Sequence, residues 1–142
     1  MTLRERLDRW FLELWVRRNG AIIDEMIDPE CTTHGVPGMS HGPEGLRVFY
    51  ELFCRAFSRI EVRIEDSVEL GDRIGFRCTM TVLARDGTAH EFSGGGMARF
   101  RDGRFIEAWN AFDNLALLTS MGLVPHGAFV NALLAQAKLV AS

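Results

Sequence analysis

The stretch RIEVRIEDSVELGDRIGFRCTM, residues 59–80, decides the fold of this chain. In its first half, apolar Ile and Val alternate with Glu and Arg, which is the period of a half-buried β-strand. Gly71-Asp72 is a turn signal, and a second strand begins at Arg73. The stretch therefore predicts an antiparallel hairpin with one buried face. The residues of that face are Ile60, Val62, Ile64, Val68 and Leu70.

The same alternation continues towards the C-terminus. Asp86-Gly87 and Asp102-Gly103 are strong turn signals between apolar runs. Gly94-Gly95-Gly96 interrupts one of these runs and indicates a bulge or a sharp bend. The sequence thus predicts a meander of four long antiparallel strands. Their ranges are Ile60–Leu70, Arg73–Arg85, Thr88–Arg101 and Arg104–Phe112.

Helical periodicity and a short extended segment precede the meander. The predicted helices are Leu3–Arg18, Ala21–Ile27, Pro43–Phe57, Asn114–Met121 and one after Pro125. Glu30–His34 predicts a fifth, short strand, and residues 35–42 predict a loop. We expect an α+β fold in which a curved antiparallel sheet wraps around the N-terminal helices as a cone. The last helix covers the cone mouth, packs on a partner subunit or joins the monomer core.

Length and composition exclude several classes of protein. The chain has 142 residues, consistent with one domain, and a net charge of −3 without a basic stripe, so nucleic acid is not an expected partner. No apolar run approaches the ~18 residues that a membrane helix needs. The N-terminus has no apolar signal-peptide core, and the three dispersed cysteines form neither a disulfide framework nor a CxxC motif. We expect a reduced, cytoplasmic protein.

The last predicted strand carries two candidate site residues. Asn110 shares one face with apolar Ile106, Ala108 and Phe112, and Trp109 lies on the other. If the first face lines the cone, Asn110 is a lone polar group in an apolar wall, although it could also serve only to bond a neighbouring backbone. Trp109 is then an interface aromatic; with the faces reversed, it stacks on substrate.

Asp113 stands immediately before the predicted helix at Asn114. An Asp in this place is a good N-cap, because its carboxylate accepts from free backbone N–H groups. A catalytic carboxyl instead needs apolar walls that raise its pKa, whereas the helix dipole lowers the pKa of a capping carboxylate. The two roles therefore make opposed predictions.

Other candidates depend on register. Asp66 pairs with Arg77 across the Gly71-Asp72 turn and could form an ion pair inside the cone, unless a one-residue bulge places Arg77 on the outer face. His90 shares a face with Phe92 and is expected to look inward near the open end. Four dispersed histidines give no metal-site signal. The apolar candidates for the pocket wall are Phe11, Trp15, Phe53 and Phe76.

The order of these segments resembles the SnoaL-like polyketide cyclases and ester cyclases of the nuclear transport factor 2-like superfamily. The resemblance rests on an aromatic first helix followed by four segments and covers about residues 3–124. The segments are DPECTTHG (28–35), GPEGLRVFYELFCRAF (42–57), the stretch at 59–80 and GGGMARFRDGRFIEAWNAFDNLALLTSMG (94–122). We expect residues 125–142 to form a helical extension that packs on the same domain or on a partner subunit.

The resemblance implies a cone-shaped α+β barrel, a homodimer through the outer sheet face, and chemistry without a cofactor. It implies Asp113 as general acid/base and a cone-facing His34, with Asn110 or Arg77 polarising a carbonyl. Asn110 stands where many relatives have an acid. We expect an enzyme that acts on an apolar carbonyl compound by proton abstraction and aldol-type cyclisation or isomerisation. The alternatives are a non-catalytic binding or dimerisation module, and an epoxide hydrolase that would need Asp66, Arg77 and Asp113 facing inward.

Overall fold

The computed structural model describes residues 1–38 and 41–141, with the side chain of Ala141 excepted. Within these residues the chain forms five α-helices and five strands. The helices are α1 (Leu3–Phe11), α2 (Ile22–Met26), α3 (Gly42–Ala56), α4 (Asn114–Ser120) and α5 (Ala128–Ala141). The strands are β1 (Ile27–His34), β2 (Phe57–Leu70), β3 (Arg73–Ala84), β4 (Ala89–Arg101) and β5 (Arg104–Phe112). The predicted α+β fold is confirmed, and part of the predicted 35–42 loop lies outside the described residues.

The five strands form one curved, unclosed sheet in the order β1-β5-β4-β3-β2. β2 to β5 are an antiparallel meander, and β1 pairs parallel to β5. Two tight turns set the register of the β2–β3 and β4–β5 hairpins, with Leu70 opposite Arg73 and Arg101 opposite Arg104. β1 and β5 are far apart in the sequence, so no turn fixes the register of their pairing. The pairing is irregular between Ile27 and Thr32.

A bulge in β2 changes which side chains the hairpin buries. Asp66 lies opposite Arg77, as predicted, but Ile64 lies opposite Cys78, so one extra residue stands between them on β2. An extra residue reverses the inside and outside of everything beyond it. Val68 and Leu70 are therefore on the outer face, 75% and 81% exposed. The prediction that they belong to the buried face was wrong.

The N-terminal helix packs an aromatic face against the sheet. Thr2 begins α1 with a capping box that includes Glu5. The chain continues from α1 as a π-helical turn at Leu12–Val16, where the sequence predicted one uniform helix to Arg18. Trp15, on this turn, packs its ring against the rings of Phe49 and Phe53 on α3, at centroid distances of 6.3 and 5.3 Å. These contacts join the π-helical turn after α1 to α3.

The two C-terminal helices differ in how they meet the rest of the chain. α4 buries Leu117 and follows directly from β5. α5 is present as predicted, yet every residue of 129–140 is exposed. The helix does not bury its apolar residues in the core of its own domain. None of the helices in residues 1–38 and 41–141 combines the length and apolarity needed to cross a bilayer.

Candidate functional site

A cavity of about 120 Å³ lies between the concave face of the sheet and helices α1 and α3. Nine aromatic side chains line it, together with aliphatic residues of both helices and of the sheet. The four apolar residues expected in the wall are among the lining residues. They are Phe11, Trp15, Phe53 and Phe76.

Three polar side chains line the cavity, those of Thr33, Asn110 and Asn114. Among the described residues that form its wall, none is ionisable. The interior can therefore offer a ligand neutral hydrogen bonds and apolar contact. A buried charge without a partner would be strongly unfavourable in such surroundings, because it would lose its hydration without compensation. Uncharged ligands fit this wall.

Asn110 lies in the cavity wall together with Ala108 and Phe112, as the alternation of β5 predicts. Its Nδ2 donates a hydrogen bond to the backbone oxygen of His34 at 3.2 Å. This is the only hydrogen bond of the side chain within the described residues, so one N–H and the amide oxygen remain for a ligand. Gly35 allows this close approach: its φ is +81°, and a Cβ there would lie 1.9 Å from the Asn110 backbone oxygen.

Thr33, rather than His34, faces the cavity from β1. Alternation places Cys31 and Thr33 inward and His34 outward. The His34 ring stacks on Trp109 at 5.4 Å between centroids, and its Nε2 lies 3.0 Å from Glu107 Oε2. The expected cone-facing His34 is therefore corrected by one residue.

The thiol nearest to Thr33 adds no charge to this wall. Cys31 Sγ lies 4.0 Å from Thr33 Oγ1 and is fully buried. Burial raises the pKa of the Cys31 thiol, so the neutral form predominates at neutral pH.

Asp113 is the N-cap of α4. Its Oδ1 accepts a hydrogen bond from Ala116 N at 2.9 Å, the only side-chain hydrogen bond of Asp113 in the described part of the chain. Asp113 is exposed and does not line the cavity, although Phe112 before it and Asn114 after it both do. The carboxylate thus stands beside the cavity wall, with one oxygen engaged in capping.

The predicted Asp66–Arg77 ion pair exists, with 3.4 Å between Arg77 Nε and Asp66 Oδ1, but it lies outside the cone. Its side chains are 67% and 63% exposed, because the bulge in β2 lies between Ile64 and Asp66 and turns Asp66 to the outer face. Trp109 is also on the outer face, where the Arg73 guanidinium lies 6.0 Å from its ring centroid. These three residues do not contact the cavity, so the arrangement needed for epoxide hydrolysis is absent from the described residues.

His90 points inward as predicted but does not line the cavity. It is buried between β4 and α4, where Nδ1 lies 2.7 Å from Ser120 Oγ and Nε2 lies 2.9 Å from Thr88 Oγ1. Substrate contact by His90 is therefore not supported by its position. Among the described residues, no cluster of His, Cys, Asp or Glu could hold a metal ion.

Two lining polar residues, Thr33 and Asn114, were missed from the sequence. The signal for Thr33 was its place two residues after Cys31 on an otherwise apolar face. Asn114 gave no comparable signal, because its position depends on how α4 leaves β5.

Comparison with known proteins gives this geometry a family. The family model for the SnoaL-like domain matches residues 7–108 of this sequence, more than half of the chain. The chain belongs to the SnoaL-like domain family. A comparison with curated proteins finds no significant match.

Solved structures support the SnoaL-like assignment. A candidate polyketide cyclase of Bacillus cereus is 25% identical, with a TM-score of 0.75 over 84% of this chain and 79% of its own. AclR of Streptomyces galilaeus, a candidate hydroxylase, is 21% identical with a TM-score of 0.74 over 99% and 94%. A nuclear transport factor 2-like protein of Exiguobacterium is 24% identical with a TM-score of 0.64 over 77% and 98%. The last two likenesses show the shared fold alone.

Proposed function

We propose that this SnoaL-like protein binds an uncharged, mostly apolar carbonyl compound in the cone and acts on it as a cyclase- or isomerase-type enzyme. The observation that carries the proposal is the cavity wall of nine aromatic and three neutral polar side chains, with no ionisable group among its described residues. Its family membership favours the reaction class. The similarity to a candidate polyketide cyclase points the same way.

The volume limits what the cone holds. A dry cavity of about 150 Å³ can bind benzene, and this cavity measures about 120 Å³. The enclosed part of a ligand therefore corresponds to roughly one ring. Gly35, Pro37 and Asn114 line the cavity and are exposed, which places its mouth between residues 35–37 and α4. A larger ligand would extend through this mouth.

Asn110 is suited to polarise a ligand carbonyl. Its free N–H can donate to the carbonyl oxygen and stabilise the negative charge that develops when a proton leaves the adjacent carbon. In a cyclisation, a base removes that α-proton and the enolate carbon forms a bond to a second carbonyl carbon of the same molecule. The resulting alkoxide then takes up a proton, so no redox partner is needed. Asp113, beside the mouth, is our candidate for the base.

Three related ligands test the binding step. 2-Acetylnaphthalene has a carbonyl, 2-ethylnaphthalene has none, and 2-naphthoate carries a charge. By titration calorimetry we expect the ketone to bind best and the carboxylate not to bind. Asn110→Ala should weaken ketone binding about tenfold, the loss of one hydrogen bond, and leave the hydrocarbon unchanged. Asn131→Ala, an exposed change on α5, is the matched control. Equal affinity for all three ligands would refute a specific neutral carbonyl site.

A non-catalytic binding protein is the second candidate. The observation in its favour is that Asp113 lies outside the lining residues and already caps α4. Under this hypothesis the ketone binds but its α-protons exchange with solvent no faster than without protein. Exchange of the ketone's α-protons in D₂O, with and without protein, therefore separates the two candidates.

We also propose that the outer sheet face forms a homodimer. One row across all five strands carries Val68, Gly75, Met97, Trp109 and His34 on that face. Val68 and Met97 are 75% and 40% exposed, an apolar patch of the kind found at protein interfaces. Sedimentation should show a mass near twice 16.0 kDa. Trp109→Ala should shift it towards the monomer; a monomeric wild type at micromolar concentration would refute the proposal.

A further inference from the structure

A chain of four side chains joins the β3–β4 turn to the end of α4. Asp86 Oδ1 lies 2.6 Å from Thr88 Oγ1, Thr88 Oγ1 lies 2.9 Å from His90 Nε2, and His90 Nδ1 lies 2.7 Å from Ser120 Oγ. His90 is 8% exposed, whereas Ser120 lies on the surface. The chain therefore links an exposed carboxylate, through a buried imidazole, to the last residue of α4.

The direction of each hydrogen bond follows from the chemistry of the groups. An ionised Asp86 can only accept hydrogen bonds, so Thr88 donates its single hydroxyl proton to Asp86. Thr88 Oγ1 must then accept from His90 Nε2–H. The neutral imidazole consequently has a lone pair at Nδ1, which accepts the hydroxyl proton of Ser120. Asp86 and Thr88 thus fix the tautomer of His90 that can hold Ser120.

These contacts anchor one end of α4, and a backbone contact anchors the other. Asp113 N donates to the backbone oxygen of Ser93 at 2.9 Å. His90 and Ser93 are three residues apart on β4, a rise of about 10 Å, and the seven residues of α4 rise about the same distance. The helix is thus fastened along β4 at both ends. Such a short helix would not be stable without contacts of this kind.

We propose that His90 is a positioning residue, which holds Ser120 and thereby keeps α4, with Asn114 at its start, in the wall of the ligand cavity. The consequence for ligands rests on the proposed function of that cavity. Asn114 is the first residue of α4 and lines the cavity, while Leu117 in the middle of the helix is 8% exposed. Loss of the His90–Ser120 contact therefore loosens the helix that carries Asn114 and Leu117.

Ser120 is a structural partner of His90 and not a nucleophile. An acyl-transfer site needs N–H groups to stabilise an oxyanion. The N–H groups of Met121, Gly122 and Leu123 instead donate to carbonyl oxygens of α4. The serine therefore lacks this part of a catalytic site.

Variants at both ends of the His90–Ser120 contact test the proposal. Ser120→Ala removes one partner at an exposed position, and Ser93→Ala is the matched control on β4. An asparagine amide reaches the place of His90 Nδ1, whereas a glutamine amide reaches the place of Nε2. His90→Asn should therefore keep the contact with Ser120, and His90→Gln should lose it. The readouts are the affinity for 2-acetylnaphthalene and hydrogen–deuterium exchange of the α4 amides.

We expect Ser120→Ala and His90→Gln to weaken ketone binding about three- to tenfold, as for one lost hydrogen bond. Both variants should also speed hydrogen–deuterium exchange of the α4 amides. His90→Asn and Ser93→Ala should resemble the wild type in both readouts. Unchanged exchange in Ser120→Ala, or equal losses in His90→Asn and His90→Gln, would overturn the proposal. Should the wild type fail to bind the ketone, the proposed function falls, but α4 exchange still decides the role of His90.

Discussion

Two substitutions of Asp113 separate its capping role from a catalytic one. Asparagine caps a helix about as well as aspartate, because its side-chain oxygen also accepts from the backbone N–H groups. Alanine cannot cap, and loss of the Asp113–Ala116 hydrogen bond of 2.9 Å should cost about 1 kcal/mol. For a chain of this length, that lowers Tm by about 2–5 °C. Asp113→Asn should leave Tm almost unchanged, apart from a small loss of charge–dipole interaction.

The rate of proton abstraction, unlike Tm, should fall in Asp113→Asn if Asp113 is the base. General-base catalysis typically contributes about 10²–10⁴-fold, so Asp113→Asn should lower proton abstraction by at least about 100-fold. The assay follows exchange of the acetyl protons of 2-acetylnaphthalene in D₂O by NMR, which needs no knowledge of the natural substrate. Circular dichroism gives Tm for the wild type and both variants, and calorimetry shows whether each still binds the ketone.

The pattern across the two variants decides the argument. A slow but thermally stable Asp113→Asn variant assigns the base. Wild-type exchange rates in Asp113→Asn, together with a lower Tm in Asp113→Ala, would show that the residue is only a cap. If the wild type itself binds the ketone without accelerating exchange, the non-catalytic candidate gains.

Three further predictions concern the fold. Gly96→Ala should destabilise the protein by about 2 kcal/mol or more in urea unfolding, since its Cβ would lie 1.9 Å from the Trp109 backbone oxygen; Gly75→Ala, whose nearest atom is 3.9 Å away, is the control. Asp66→Asn should change stability by less than about 0.5 kcal/mol and leave ketone affinity unchanged, since the pair is exposed. Burial raises the pKa of Tyr50 from 10.0 to about 12, so the unfolded state ionises first; unfolding free energy should fall from pH 10 to 12, and less in Tyr50→Phe.

The meander could be predicted because its signals are local. Gly71-Asp72 and Asp102-Gly103 each join two strands directly, and a two-residue turn fixes which residues face each other. Period-2 alternation along β5 put Asn110 and Trp109 on opposite faces, and the structure shows that Asn110 is the one in the cavity wall.

Features that depend on distant contacts could not be predicted in the same way. The bulge before Asp66 left the turn register intact, yet it moved Val68 and Leu70 to the outer face, and nothing in the alternation marks the extra residue. The family resemblance implied a cone-facing His34, and the sequence could not check this because β1 has no turn that sets its register. Its position comes from parallel pairing with β5, more than 70 residues away, where it lies opposite Trp109.

The placement of charge limits how this member of the SnoaL-like family could work. The ionisable candidates His34, Asp66 and Arg77 all lie outside the cone, and His90 is engaged with α4. An intramolecular ring closure nevertheless needs little from the protein beyond confinement, because holding two reacting carbons together can supply several kcal/mol of the barrier. An apolar wall in which the Asn110 amide orients a carbonyl provides that confinement. Asp113 at the mouth would then have to act on the part of the ligand that projects past Asn114, and only a ligand longer than one ring could reach it.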